Sequence, residues 1–232
     1  MNITKPTSIN SDRQPKYFDI VAVAFVSVYL ITQVSSTKIA AFGPFQFPGA
    51  IILFPFSYIF GDVLTEVYGY ARTRRVIWMG FIAAVLLAVV LMIVEYLPPA
   101  PGWQDQSAYT TILGFVPRIV LGSIFGYWVG EFGNSFVMSR LKVITKGRHL
   151  WMRTISSTVV GQALDTLVFV TIAFGGRFPI GLIVSMSISA YLFKVAYETI
   201  ATPLTYIFVN FLKRREGIDV FDDNENYTPF RF

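Results

Sequence analysis

Ile77-Trp78-Met79-Gly80-Phe81-Ile82-Ala83-Ala84-Val85-Leu86-Leu87-Ala88-Val89-Val90-Leu91-Met92-Ile93-Val94 contains neither a charge nor a proline. At about 1.5 Å per residue, such a helix covers most of a ~30 Å hydrocarbon core. Arg72, Arg74 and Arg75 stand just before it, as anchors at a membrane surface would. The whole chain agrees with this reading. Of its 232 residues 54% are hydrophobic and 14% charged, which is too apolar for an ordinary soluble domain. We therefore expect an all-α polytopic membrane protein.

Outward from that segment, hydropathy marks six spans: Phe18 to Thr37, Ala50 to Tyr68, Val76 to Leu97, Ile112 to Met138, Ile155 to Phe174 and Met186 to Leu212. The net charge of +5 does not point to nucleic acid, because the basic residues cluster at alternate span ends. Lys5, Arg13 and Lys16 precede the first span, Arg72 to Arg75 follow the second, Arg140 to Arg153 follow the fourth, and Lys213 to Arg215 follow the last. By the positive-inside rule both termini are cytoplasmic, and an even number of spans is required. Residues 1–17 then form a cytoplasmic N-terminal segment, 18–212 the membrane domain and 213–232 a cytoplasmic tail, acidic and polar from Glu216 onward. The first apolar segment ends in Gln33, Ser35, Ser36 and Thr37 without a convincing cleavage site and reads as a retained helix. There is no cysteine, so disulfide and thiolate chemistry are excluded. The single histidine, His149, falls in a basic loop and reads as interfacial, and no cofactor or metal site is expected.

Between the first two spans, Phe42-Gly43-Pro44-Phe45-Gln46-Phe47-Pro48-Gly49 is too broken for helix and suits a short hairpin or lid at the outer face. Gly122, Gly126 and Gly130 form a small-residue ridge on the fourth span. It allows close helix packing, either within the chain or against a second copy in a homo-oligomer. Pro55 and Pro203 fall inside the second and sixth spans and favour kinks beside a cavity. Gly61-Asp62 and Gly161-Gln162 open similar short polar motifs in oppositely directed spans, as two inverted halves would.

The polar residues inside the spans point to function. A charge near the bilayer centre costs roughly 2.5–3.5 kcal/mol on insertion scales, so such residues face a partner, a cavity or a solute. Counted from the nearest cytoplasmic arginine, Asp62 and Asp165 lie roughly 15–18 Å deep, near the midplane, and Glu131 roughly 13 Å deep. Glu131 shares a helix face with Ser123, Tyr127 and Asn134. Glu66 lies nearer the cytoplasm. Lys194 and Glu198 have the spacing of an intrahelical ion pair, and Arg118 sits where it can snorkel to the interface. The acids nevertheless outnumber Lys38, Arg118 and Lys194, so some of them must be protonated, hydrated or facing a ligand. No phosphate-binding, metalloprotease or serine-hydrolase motif is present, and the chain is not expected to be an enzyme.

An ordered set of motifs runs along the chain: Phe54-Pro55 with Asp62 to Gly69; Pro117-Arg118 to Gly122-Ser123 with Glu131-Phe132 and Asn134; Ser156-Ser157-Thr158 with Gly161-Gln162 and Asp165-Thr166; and Phe193-Lys194 with Thr202-Pro203. This set resembles the queuosine precursor transporters, formerly grouped as a vitamin uptake family. The resemblance implies a six-helix fold similar to the substrate-binding subunits of energy-coupling-factor importers. It implies import of deazaguanine bases (cyano and aminomethyl precursors, or queuine) across the bacterial plasma membrane for tRNA modification, by secondary or facilitated transport. The alternative is a vitamin-binding subunit of an ATP-driven importer, for which Ala22 and Ala24 on the first span would be the partner face. A guanine-like edge presents two adjacent N–H donors to a carboxylate and an O6 acceptor to a lysine or amide. The expected substrate-binding set is Asp62, Glu66, Glu131, Asn134, Gln162, Asp165 and Lys194, with Phe54 and Tyr68 stacking on the base. Lys38, Arg118 and Glu198 are expected as gating or structural charges.

Overall fold

The computed structural model describes residues 15–144 and 150–217, and within these it leaves out the side chains of a few positions, among them Asp62, Glu198 and 201–206. His149 and most of the acidic tail lie outside the described residues. Seven helices and one hairpin follow in order: α1 Phe18–Ser35, β1 Ile39–Phe42, β2 Phe45–Pro48, a 3-10 turn Gly49–Leu53, α2 Phe54–Tyr68, α3 Tyr70–Tyr96, α4 Gln106–Ile112, α5 Val116–Ile144, α6 Leu150–Phe174 and α7 Ile180–Glu216. Six helical segments among the described residues are long and apolar enough to cross a membrane. The chain is a multi-pass membrane protein.

The expected hairpin forms, with Ile39 opposite Pro48 and Phe42 opposite Phe45. Gly43, at φ +58°, takes the first central position of the two-residue turn, where a positive φ matches the twist of the strands. The hairpin lies on α7, and the Gln46 N–H donates to Ser189 Oγ at 3.3 Å. Pro55 departs from expectation. It stands in the first turn of α2 rather than inside a helix, and there its missing N–H removes no bond and produces no kink. The helix α7 runs unbroken through Pro203 and begins six residues earlier than hydropathy suggests.

The glycine ridge belongs to the interior of the chain. A Cβ at Gly122 would stand 3.1 Å from Phe169 O, at Gly126 2.9 Å from Asp165 Oδ1, and at Gly130 2.8 Å from Asp165 Cβ and 2.9 Å from Gly161 O. These glycines bring α5 against α6 within one chain, so of the two expected uses of Gly122, Gly126 and Gly130 packing within the chain is the one seen, and nothing supports their use as a homo-oligomer face.

Three apolar clusters hold the bundle. Val21, Ala22, Leu64, Val67, Val76 and Val209 pack α1, α2, α3 and α7 at the end bearing Arg72 to Arg75. Phe115, Ile119, Phe174 and Met186 pack α5, α6 and α7 toward the hairpin, and Ala84, Ala88, Val116 and Val120 join α3 to α5. Outward-facing Ile82, Leu86, Val90 and Ile93 on α3 are exposed, as a lipid-facing stripe should be.

Charged groups tie the helix ends. At the basic end Glu216 accepts the N–H groups of Lys16 and Tyr17, both at 2.8 Å, and the Tyr68 hydroxyl at 2.9 Å. Lys213 Nζ meets Glu66 Oε1 at 2.6 Å. At the hairpin end Arg118 donates to Ile172 O at 2.6 Å and also to Gly175 O, satisfying carbonyls that the end of α6 leaves without helical partners.

Candidate functional site

A cavity of about 550 Å³ opens between the helices, with walls from α1, α2, α3, α5, α6 and α7 and a rim that includes Pro48 and Ala50 beside the hairpin. It is the place where the polar residues of the spans converge.

On the α6 and α7 side, Lys194 Nζ donates to Asp165 Oδ2 at 2.5 Å. The pair is largely sheltered, with the lysine side chain 13% and the aspartate 26% exposed. Close approach of α5 makes this possible, because any side chain at Gly126 would take the space of the Asp165 carboxylate. The lysine also lies 5.3 Å from the centre of the Phe54 ring, a cation–π distance. Phe54 packs edge-on against Tyr197, whose hydroxyl reaches Pro55 O at 3.4 Å. Lys194 is thus fixed by an acid on α6 and a ring on α2. The Glu198 side chain, expected one turn from Lys194 on α7, lies outside the described residues.

On the α1 and α5 side, Tyr29 Oη and Ser123 Oγ lie 3.1 Å apart, and Ser123 Oγ donates to Gln33 Oε1 at 3.1 Å. Gln33 is 2% exposed and returns its amide to Tyr29 O at 3.1 Å, so the wall is a closed hydrogen-bond relay. Glu131 lines the open space and, among the described residues, has neither a hydrogen bond nor an ion pair. Asn134 Oδ1 and Thr166 Oγ1 are buried in the same wall without a hydrogen-bond partner among the described residues.

Of the residues expected to bind, the cavity brings together Phe54, Glu131, Asn134, Gln162, Asp165 and Lys194. Glu66 and Tyr68 do not join them. Glu66 is exposed and paired with Lys213, while Tyr68 is buried at the basic end against Phe18 and Glu216. Their places in the last turns of α2 put them beyond the cavity floor. The Asp62 side chain is outside the described set, although its neighbours Gly61 and Thr65 line the cavity. Arg118 caps α6, and Lys38 stands exposed at the foot of the hairpin. Tyr29 and Gln33 are wall residues that the sequence reading passed over. Their signal was the i, i+4 spacing of two polar groups within an apolar span.

Residues 48–208 match a family model described as "Putative vitamin uptake transporter". Over 146 residues the chain is 36% identical to a Bacillus subtilis (strain 168) protein named "Probable queuosine precursor transporter", covering 62% of this chain and 64% of that protein. It is 29% identical over 167 residues to the Escherichia coli (strain K12) "Queuosine precursor transporter", covering 70% and 72%. A Haemophilus influenzae protein named "Probable queuosine precursor transporter" is 25% identical over 187 residues, covering 75% and 76%. The match therefore spans just under two thirds of the Bacillus relative's length. No solved structure matches the chain.

Proposed function

The chain belongs to the vitamin uptake transporter family, and from that premise we propose that it imports queuosine precursors, deazaguanine bases, by secondary or facilitated transport. The observation that carries this reading is the cavity itself: acceptor, donor and aromatic ring stand together at Asp165, Lys194 and Phe54 in the middle of the bundle. A guanine-like edge offers adjacent N–H groups to Asp165 and its O6 to Lys194, so the base inserts into an existing pair without leaving either charge uncompensated. Gln162 and Asn134 complete the hydrogen bonding, and Phe54 covers a base face. Asp62 belongs to the same binding set. Glu66 and Tyr68 instead hold the basic end closed. With the basic ends of α1, α2, α3 and α7 in the cytoplasm, both termini are cytoplasmic and the hairpin faces outward, in a bacterial plasma membrane. Arg118 and Lys38 are structural charges at that outer side.

The names of the relatives support the substrate class, and the volume of the cavity falls in the range of small-molecule sites and has room for a deazaguanine base. A role as a vitamin-binding subunit of an ATP-driven importer draws no support from α1, since Ala22 is buried against the chain's own core. Uptake of labelled deazaguanine base by cells that cannot synthesise it tests the reading. Expression of this chain should confer uptake and Asp165→Asn should abolish it; normal transport by that variant would remove Asp165 from the mechanism.

A further inference from the structure

Two carboxylates among the described side chains line the cavity, and only one is neutralised. Asp165 has Lys194, the one cation on the described wall. Glu131 has no partner among the described residues, although it lies at the same level: Gly130 packs on Asp165 Cβ, and the next residue is turned about 100° around α5, into the open space. The other titratable groups on the wall do not compensate it. Tyr29 on α1 is engaged by Ser123, and Tyr127 on α5 packs its ring against Phe81 of α3. Neither brings positive charge.

Resting on the proposed function, we propose that Glu131 is a cation subsite that holds the ammonium of an amine arm on the deazaguanine, while the ring edge is received at Asp165 and Lys194. An isolated carboxylate in a cavity surrounded by lipid-embedded helices is unfavourable until a positive charge arrives, and a carboxylate–ammonium hydrogen bond is among the stronger polar contacts. A base with a neutral arm gains nothing there. The site thereby discriminates by the charge of the arm, separately from recognition of the ring.

The test uses the purified full chain in liposomes and two labelled probes, aminomethyl-deazaguanine and cyano-deazaguanine, each measured on the same preparation. Their rate ratio does not depend on the fraction of folded protein. Glu131→Gln and Glu131→Ala should each lower the aminomethyl-to-cyano ratio about tenfold or more, the loss of one charge-assisted hydrogen bond. An unchanged ratio in both variants would overturn the cation subsite while leaving deazaguanine transport standing. If the wild-type chain moves neither probe, the proposed function fails, and the subsite with it.

Discussion

Two ion pairs of nearly equal length sit in very different surroundings. Asp165 and Lys194 meet at 2.5 Å inside the bundle, whereas Glu66 and Lys213 meet at 2.6 Å at the basic end, where the glutamate is 61% exposed. Geometry alone would rank them together. Surroundings separate them, since water and salt screen the exposed pair, and losing one partner of the sheltered pair strands a charge. The first lines the cavity, and the second fastens a helix end.

Asp165→Ala should break the comparison most sharply, destabilising the protein by about 3 kcal/mol because Lys194 is left uncompensated. A lowered melting temperature in detergent checks it, and Asp165→Leu with Lys194→Met should recover most of the loss without restoring transport. Gly126→Ala attacks the same pair through packing: its Cβ would lie 2.9 Å from Asp165 Oδ1 and 3.0 Å from Asp165 O. We expect about 2 kcal/mol of destabilisation, read by the same melting experiment. Ser123→Ala leaves the buried Gln33 oxygen unmet and should cost about 1.5 kcal/mol, with little change at the basic end. Lys213→Ala should fall below about 1 kcal/mol. Its effect should shrink further in high salt, and an effect equal to that of Asp165→Ala would erase the distinction between the two regions.

The sequence shows the spans more clearly than their ends. Ile77 to Val94 is unmistakable, but α3 begins at Tyr70 and carries its arginines as helix, because hydropathy reports burial in lipid rather than where backbone hydrogen bonding starts. The helix α4 escaped notice for want of an apolar run, and Glu216 read as the start of a tail although it closes α7 onto α1. At the site, Asp165, Glu131 and Lys194 were legible because charge inside a span is expensive. Tyr29 and Gln33 were not. Near a span end, tyrosine and glutamine resemble interfacial residues, and only the approach of Ser123 from α5 reveals a wall. Counting residues gave the depth of Glu66 along the axis, but not the direction of its side chain toward Lys213.

The seam between α5 and α6 has a mechanical consequence. Where Gly122, Gly126, Gly130 and Gly161 meet, backbone rests almost directly on backbone, so no layer of side chains can shear or change rotamer between the two helices. Close contact couples the two helices into one packed body. Any exchange of the cavity between the two membrane faces must then be accommodated where α1, α2 and α7 pack against that body, and the Asp165–Lys194 contact lies across this boundary. On the proposed function, a ligand that inserts between the two charges would act on this boundary as well as on the two residues it touches.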